Sequence, residues 1–96
     1  MTTIARVLVV DDDTAVARLL ARLIETRPYT CVVAHSAEEA LGVLEEAEEP
    51  YDVVVCDLKI PSADGEVEAE VIHGISVLAR LQAEWPGVPV IVFSAH

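Results

Sequence analysis

Short, continuous apolar runs alternate along the chain with segments in which apolar residues recur every three or four positions. The runs predict strands at 4–10, 30–34, 52–56 and 88–93, because such runs are typical of strands buried on both faces of a parallel sheet. The helical spacing predicts one helix between each pair of consecutive strands. This alternation favours a single α/β domain with a parallel sheet and right-handed crossovers.

Capping residues and prolines mark the predicted helices. Asp13 or Thr14 starts the first helix, since either side chain can accept a free backbone N–H, and Pro28 stops it. Ser36 and Glu39 form a capping box at the start of the second. The third helix is predicted to start at 74 and to end at Pro86-Gly87. The apolar stripes comprise Val16, Leu19, Leu20, Leu23 and Ile24, then Ala37, Ala40, Leu41 and Leu44, and then Gly74, Val77, Leu78, Leu81 and Trp85.

Oxygen-bearing side chains follow three of the predicted strands: Asp11 and Asp12, then Asp57, then Ser94. Ligands of such sheets bind beyond the carboxyl ends of the strands, so we expect these residues to converge. Carboxylates that lie together repel and resist ionisation, and the cluster therefore favours a hard divalent cation, proton chemistry, or both. The alternative, that acids at 11–13 only cap a helix, suits Asp13 but does not explain Asp57.

Composition narrows the classes of partner. The chain has 96 residues, six basic against seventeen acidic, and a net charge of −11, which disfavours nucleic acid and anionic membranes. No apolar stretch is long enough to cross a bilayer and no signal-peptide layout is present, so we expect a cytoplasmic location. Cys31 and Cys56 fall inside predicted strands, and His35, His73 and His96 share no motif, so none of these is expected to bind a metal.

From about Val7 to Ala95 the sequence resembles the receiver domain of bacterial two-component response regulators. The segments that carry the resemblance are Val-Val-Asp-Asp-Asp at 9–13, Ala-His-Ser-Ala-Glu-Glu-Ala-Leu at 34–41, Tyr-Asp-Val-Val-Val-Cys-Asp-Leu-Lys-Ile-Pro at 51–61 and Val-Pro-Val-Ile-Val-Phe-Ser-Ala at 88–95. The resemblance implies a flavodoxin-like, three-layer fold with strand order 2-1-3-4-5, formed by one receiver domain over residues 1–96. It also implies a phosphoprotein of a phosphorelay, phosphorylated by a sensor histidine kinase or phosphotransfer protein, with at most self-phosphorylation and self-dephosphorylation as its own activity.

The same resemblance assigns roles to individual residues. By this resemblance, Asp57 is the residue that accepts the phosphoryl group. Asp11 and Asp12 become the acidic pair that holds Mg²⁺, or Mn²⁺, together with Asp57 and the backbone carbonyl of Lys59. Ser94 becomes the switch hydroxyl, which donates to a phosphate oxygen on Asp57.

The chain departs from the family in two places. The family's domain continues through a fourth helix, a fifth strand that carries a basic residue, and a fifth helix, whereas this chain stops at His96. We therefore expect a fragment or a trimmed form, whose fourth strand has an exposed edge open to self-association or strand exchange.

In addition, the acidic segment 62–73 is longer than the family's turn. Either Asp64-Gly65 or Gly74 supplies the family's glycine, and we prefer Gly74. The inserted residues, 63–70, are expected to form a solvated acidic loop; the alternative is that they screen the site or select the kinase.

Two other functions compete with the leading interpretation. A receiver-like interaction module would keep the fold for assembly without phosphorylation. A haloacid dehalogenase-type phosphohydrolase would need a β-branched residue at position 15, where the chain has Ala15, and room for a substrate cap. Mass analysis after treatment with acetyl phosphate and Mg²⁺ separates a phospho-acceptor from an interaction module.

Overall fold

A computed structural model describes residues 5–26, 29–57, 59–61 and 69–93. The elements in chain order are β1 (Ala5–Val10), α1 (Thr14–Glu25), β2 (Tyr29–Ala34), α2 (Ala37–Glu46), β3 (Val53–Asp57), β4 (Ile60–Pro61), β5 (Ala69–Glu70), α3 (Val71–Glu84) and β6 (Val90–Phe93). None of the helices in these ranges is long and apolar enough to span a bilayer.

The main sheet has the order β2-β1-β3-β6, and every pair of neighbours is parallel. A helix lies between consecutive strands of this sheet along the chain, as parallel pairing requires. The parallel α/β architecture and the strand order predicted above are therefore confirmed for these four strands.

Helices cover both faces of the sheet. Leu8 and Val10 of β1 pack in one cluster with residues of β3, α2 and α3. Successive strand residues point to opposite faces, so the equally buried Val7 and Val9 face the side of α1, which contacts β1 and β2. The larger cluster comprises Leu8, Val10, Ala34, Ala37, Ala40, Leu44, Tyr51, Val54, Cys56, Ile60, Val77 and Leu81.

The caps of the first two helices match the sequence. Asp13 Oδ1 accepts the N–H groups of Ala15 and Val16 at 3.0 and 3.1 Å. Ser36 Oγ accepts the N–H of Glu39 at 3.1 Å. Both caps satisfy backbone donors that have no partner inside the helix.

The apolar stripe of α1 is only partly covered. Val16, Leu20 and Ile24 are half-buried, but Leu19 and Leu23 are each 58% exposed. The edge of the stripe that contains Leu19 and Leu23 therefore faces away from the sheet within the described residues. The stripes of α2 and α3 are buried or half-buried as predicted.

The predicted start of the third helix at Gly74 is wrong. Helix α3 begins at Val71, and the two residues before it form β5, which pairs antiparallel with β4. The side chain of His73 donates from Nδ1 to the carbonyl of Ile60 at 2.9 Å and so ties the first turn of α3 to β4. The predicted loop over 62–73 is therefore wrong for 69–73, whereas 62–68, with Asp64-Gly65, lies outside the described residues.

The last strand is shorter than predicted, starting at Val90 rather than at 88. The N–H of Val88 donates to the backbone carbonyl of Trp85 in the turn that follows α3, and Pro89 has no N–H. The first N–H available to the ladder is therefore that of Val90.

Candidate metal and phosphoryl site

The site lies where β1 and β3 end side by side. Val10 and Cys56 are register partners, so the next residues, Asp11 and Asp57, emerge at the same edge of the sheet. One carboxylate oxygen from each of Asp11, Asp12 and Asp57 lies within 4.8 Å of the others. The predicted convergence of these three residues is confirmed.

Asp57 is the last residue of β3 rather than the first residue after it. Its side chain is buried, and Phe93 of β6 is its register partner. Asp57 Oδ1 accepts the backbone N–H of Lys59 at 3.1 Å. This hydrogen bond places the backbone of Lys59 beside the carboxylate of Asp57.

Asp11 is buried and is held at three points. Its N–H donates to the carbonyl of Ala34 at 2.9 Å, and its own carbonyl receives a hydrogen bond from Nδ1 of His35 at 3.0 Å. Its Oδ1 accepts the N–H of Asp13 at 3.0 Å. Burial raises the pKa of the Asp11 carboxyl above its ordinary value, and the negative charges of Asp57, Asp12 and Asp13 add to this rise against the opposing Asp13 N–H.

Asp12 supplies the clearest sign that the cluster could hold a cation. Its Oδ1 is buried and has no hydrogen-bond partner in the described part of the chain. A buried acceptor without a partner is costly, and a cation that meets several carboxylate oxygens removes both this cost and their repulsion. Carboxylate oxygens are the ligands that Mg²⁺ prefers, so the residues present fit that ion.

The two remaining predicted residues stand differently. The side chain of Lys59 is exposed, and its backbone lies at the site through its N–H bond to Asp57; the metal role of its carbonyl stays a prediction. Ser94 lies outside the described residues. Its role as a switch hydroxyl stays a prediction too.

Sequence reasoning missed the imidazole of His35 beside the site, because the histidines share no motif. The signal was positional: His35 directly follows β2, whose carboxyl end lies at the same edge as Asp11. Cys56, also adjacent to the site, is a free thiol whose Sγ donates to the Asp57 carbonyl at 3.4 Å. Burial and the charges of Asp57 and Asp11 raise the pKa of this thiol to about 12, so it remains protonated at neutral pH.

Proteins similar in sequence include two curated bacterial regulators. The transcriptional regulatory protein GlrR of Escherichia coli (strain K12) is 35% identical over 92 residues, which cover 96% of this chain and 18% of GlrR. Response regulator MprA of Mycobacterium ulcerans (strain Agy99) is 33% identical over 91 residues, which cover 95% of this chain and 34% of MprA. The chain thus spans only part of the length of these relatives.

Solved structures show the same architecture. A CheY-like response regulator receiver domain protein from Methanospirillum hungatei JF-1 superposes with a TM-score of 0.79 at 26% identity, over 98% of this chain and 66% of that protein. The receiver domain of the Francisella response regulator 1452 gives a TM-score of 0.72 at 32% identity, over 95% of this chain and 66% of that domain. The flavodoxin-like α/β fold expected from the sequence is therefore confirmed. Residues 7–96 match the response regulator receiver domain, and the chain belongs to this family of signalling domains.

Proposed function

We propose that this chain forms a single receiver domain over residues 1–96, which accepts a phosphoryl group on Asp57 in a Mg²⁺-dependent phosphorelay. The donor is a sensor histidine kinase or a phosphotransfer protein. One observation carries the proposal: three carboxylates, two of them buried, meet within 4.8 Å at the carboxyl edge of a receiver-family sheet. Such a cluster is unfavourable without a cation, and a cation held there can also offset the negative charge of a phosphoryl group.

The protein ligands of the ion are Asp11, Asp12, Asp57 and the backbone carbonyl of Lys59, and Mn²⁺ can replace Mg²⁺. When bound, the ion neutralises the mutual repulsion of the acids and the charge that develops on the transferring phosphoryl group. Asp11 is suited to a fixed ligand position, because hydrogen bonds hold both its backbone and its Oδ1.

Asp57 is the nucleophile. An oxygen of its carboxylate forms a bond to phosphorus while the bond between phosphorus and the donor nitrogen breaks, and the electron pair of that bond stays on the nitrogen. The Lys59 N–H, which donates to Asp57 Oδ1, holds the carboxylate in place for this attack. Ser94 then donates its hydroxyl to a phosphate oxygen, and this contact acts as the conformational switch.

The net charge and the family membership also bear on the partners and the location of the domain. A net charge of −11 disfavours direct binding of this segment to nucleic acid or to anionic membranes. We propose a cytoplasmic location, because the proposed phosphorelay would operate there. Its own chemistry extends at most to self-phosphorylation and self-dephosphorylation.

The test is phosphorylation by acetyl phosphate, followed by intact mass. The wild type should gain the mass of one phosphoryl group only when Mg²⁺ is present. Asp57→Asn should abolish this gain and Asp12→Asn should reduce it, whereas Ser94→Ala should keep the label and lose the conformational response. Glu48→Gln removes one exposed acid beyond the end of α2 and is the matched charge control. Full labelling of Asp57→Asn would place the acceptor elsewhere, and an unlabelled wild type would favour an interaction module.

A further inference from the structure

We propose that His35 is a positioning residue of the metal site and that it acts through Asp11. The proposal rests on the function proposed above, since it concerns how the chain holds one of the metal ligands. Its basis is the hydrogen bond of 3.0 Å between the ring nitrogen Nδ1 of His35 and the backbone carbonyl of Asp11.

The backbone of Asp11 is bonded at both its N–H and its carbonyl by two consecutive residues, Ala34 and His35. Val10 and Ala34 are the last register pair between β1 and β2. One residue further on, the N–H of Asp11 still donates to the carbonyl of Ala34 at 2.9 Å, but its own carbonyl lies past the end of the ladder. The imidazole of His35 supplies the donor for that carbonyl. The side chain of His35 thus adds one hydrogen bond beyond the last backbone pair of β1 and β2, and it does so at Asp11, whose carboxylate is buried.

The direction of this bond fixes the protonation of the ring. A carbonyl oxygen only accepts hydrogen bonds, so Nδ1 of His35 must carry the proton. The ring therefore stands in a defined orientation, since rotation by a half turn would place carbon against the Asp11 carbonyl. His35 is half-buried, and partial exclusion of water strengthens the bond relative to one at an open surface.

The bond matters because its effect reaches the carboxylate. Hydrogen bonds hold the N–H and the carbonyl of Asp11, and a third holds its Oδ1 to the N–H of Asp13. The carboxylate therefore has little freedom to move away from Asp12 and Asp57. The mutual repulsion of the three acids pushes it in that direction when no ion is bound. His35 therefore preorganises the ligand set, and its loss should weaken ion binding.

The experiment compares two substitutions of His35. His35→Asn keeps a donor, because the side-chain amide of asparagine takes approximately the position of Nδ1, whereas His35→Leu removes it. Mn²⁺ affinity is measured by calorimetric titration of the folded protein, with circular dichroism to verify folding. A hydrogen bond of ordinary strength predicts a loss of roughly 3- to 10-fold for His35→Leu and of less than about 2-fold for His35→Asn.

The matched control is Thr26→Val. Thr26 Oγ1 donates to the carbonyl of Leu23 at 2.7 Å, which is also a bond from a side chain to a backbone carbonyl. It lies at the far end of α1, a helix of 12 residues and so about 18 Å long, which starts beside the site. Thr26→Val should leave Mn²⁺ affinity unchanged, so that a loss specific to His35→Leu reflects the site rather than general stability.

The outcomes separate this inference from the proposed function. Asp12→Asn defines the level at which the site is lost; a wild type that binds Mn²⁺ no better than this variant would overturn both proposals. Wild-type binding that His35→Leu retains, or that His35→Asn loses to the same extent as His35→Leu, would overturn only the role of His35. If His35→Leu fails to fold, ¹⁵N spectra of the wild-type ring decide, because a ring with Nδ1 deprotonated and Nε2 protonated would refute the bond.

Discussion

Replacing Asp12 by asparagine should make the metal-free protein more stable while removing its response to Mg²⁺. The reason is that three carboxylates brought together repel one another, and this repulsion is uncompensated when no ion is bound. Asp12 faces two other carboxylates, and its buried Oδ1 has no hydrogen-bond partner among the described residues. The asparagine amide has nearly the same shape but no charge, and its N–H groups can donate hydrogen bonds to the neighbouring carboxylates.

The magnitude follows from the separation of the charges. At 4.8 Å, each pair of carboxylates repels by about 0.9 kcal/mol in the dielectric of water and by about 3.5 kcal/mol at an effective dielectric constant of 20. Asp12 takes part in two such pairs, so their summed repulsion lies between about 1.8 and about 7 kcal/mol, and the partly exposed side chain of Asp12 favours the lower end of this range. We therefore expect the free energy of unfolding to rise by about 2 kcal/mol, which corresponds to about 10 °C in Tm for a domain of this size.

The assay is urea denaturation followed by the fluorescence of Trp85. This ring packs against the core with its centroid 6.1 Å from that of Tyr51, so it reports unfolding. Each protein is measured at low salt with a chelator and again with excess Mg²⁺. Wild-type stability should increase with Mg²⁺ concentration, because an ion that binds only the folded state stabilises it by mass action, whereas Asp12→Asn should not respond.

Glu48→Gln distinguishes a local from a global charge effect. It lowers the net negative charge by the same unit at an exposed position, so its free energy of unfolding should change by less than about 0.5 kcal/mol. The reasoning is refuted if metal-free Asp12→Asn is no more stable than the wild type. It is also refuted if Mg²⁺ stabilises the variant as much as it stabilises the wild type.

Four further outcomes are expected. Asp13→Ala should lower the free energy of unfolding by about 1 kcal/mol through loss of the helix cap and leave Mn²⁺ affinity unchanged in calorimetry, so a lost affinity would place Asp13 in the site. Leu81→Ala should cost about 2–5 kcal/mol in urea denaturation, because Leu81 is buried in the main cluster, and a cost below about 1 kcal/mol would contradict that packing. Because burial raises the pKa of Asp11, this carboxyl binds more protons in the metal-free folded state than in the unfolded state, so its contribution to stability should fall as pH rises from the ordinary value of 3.8 through the raised value; an unchanged slope in Asp11→Asn would contradict this. A polypeptide of residues 1–96 should associate through β6, where Ile91 and Val92 are 56% and 45% exposed, and sedimentation that shows a compact monomer at every concentration would contradict this.

The acid cluster could be predicted from sequence because it depends on topology alone. Once two buried runs are known to be parallel neighbours, the residues that follow them lie at one edge, and the register of β1 with β3 makes Asp11 and Asp57 equivalent positions. The helix caps were predictable for a similar reason, since each depends on residues at most three positions apart.

The features that could not be predicted depend on single tertiary contacts. The pairing of β4 with β5 covers two residues on each side and so leaves no periodic signal. The early start of α3 depends on that pairing and on the contact of His73 with Ile60, which are distant in sequence. The exposure of Leu19 and Leu23 depends on which part of the α1 surface packs on β1 and β2, and hydrophobic spacing does not contain that information.

The β4–β5 pair has a consequence for how new functions can be added to this domain. Pro61 and Ala69 are register partners, so the chain departs for residues 62–68 and returns at one place on the molecule. Doubling the number of residues between two fixed ends raises the free energy of closing the loop by only about 0.6 kcal/mol. Because β4 and β5 pair where the segment begins and ends, a change in its length need not move Ile60 or α3. We therefore expect that peptide tags or recognition sequences can be inserted between Pro61 and Ala69, a few residues from Asp57 along the chain, without displacing the carboxylate cluster.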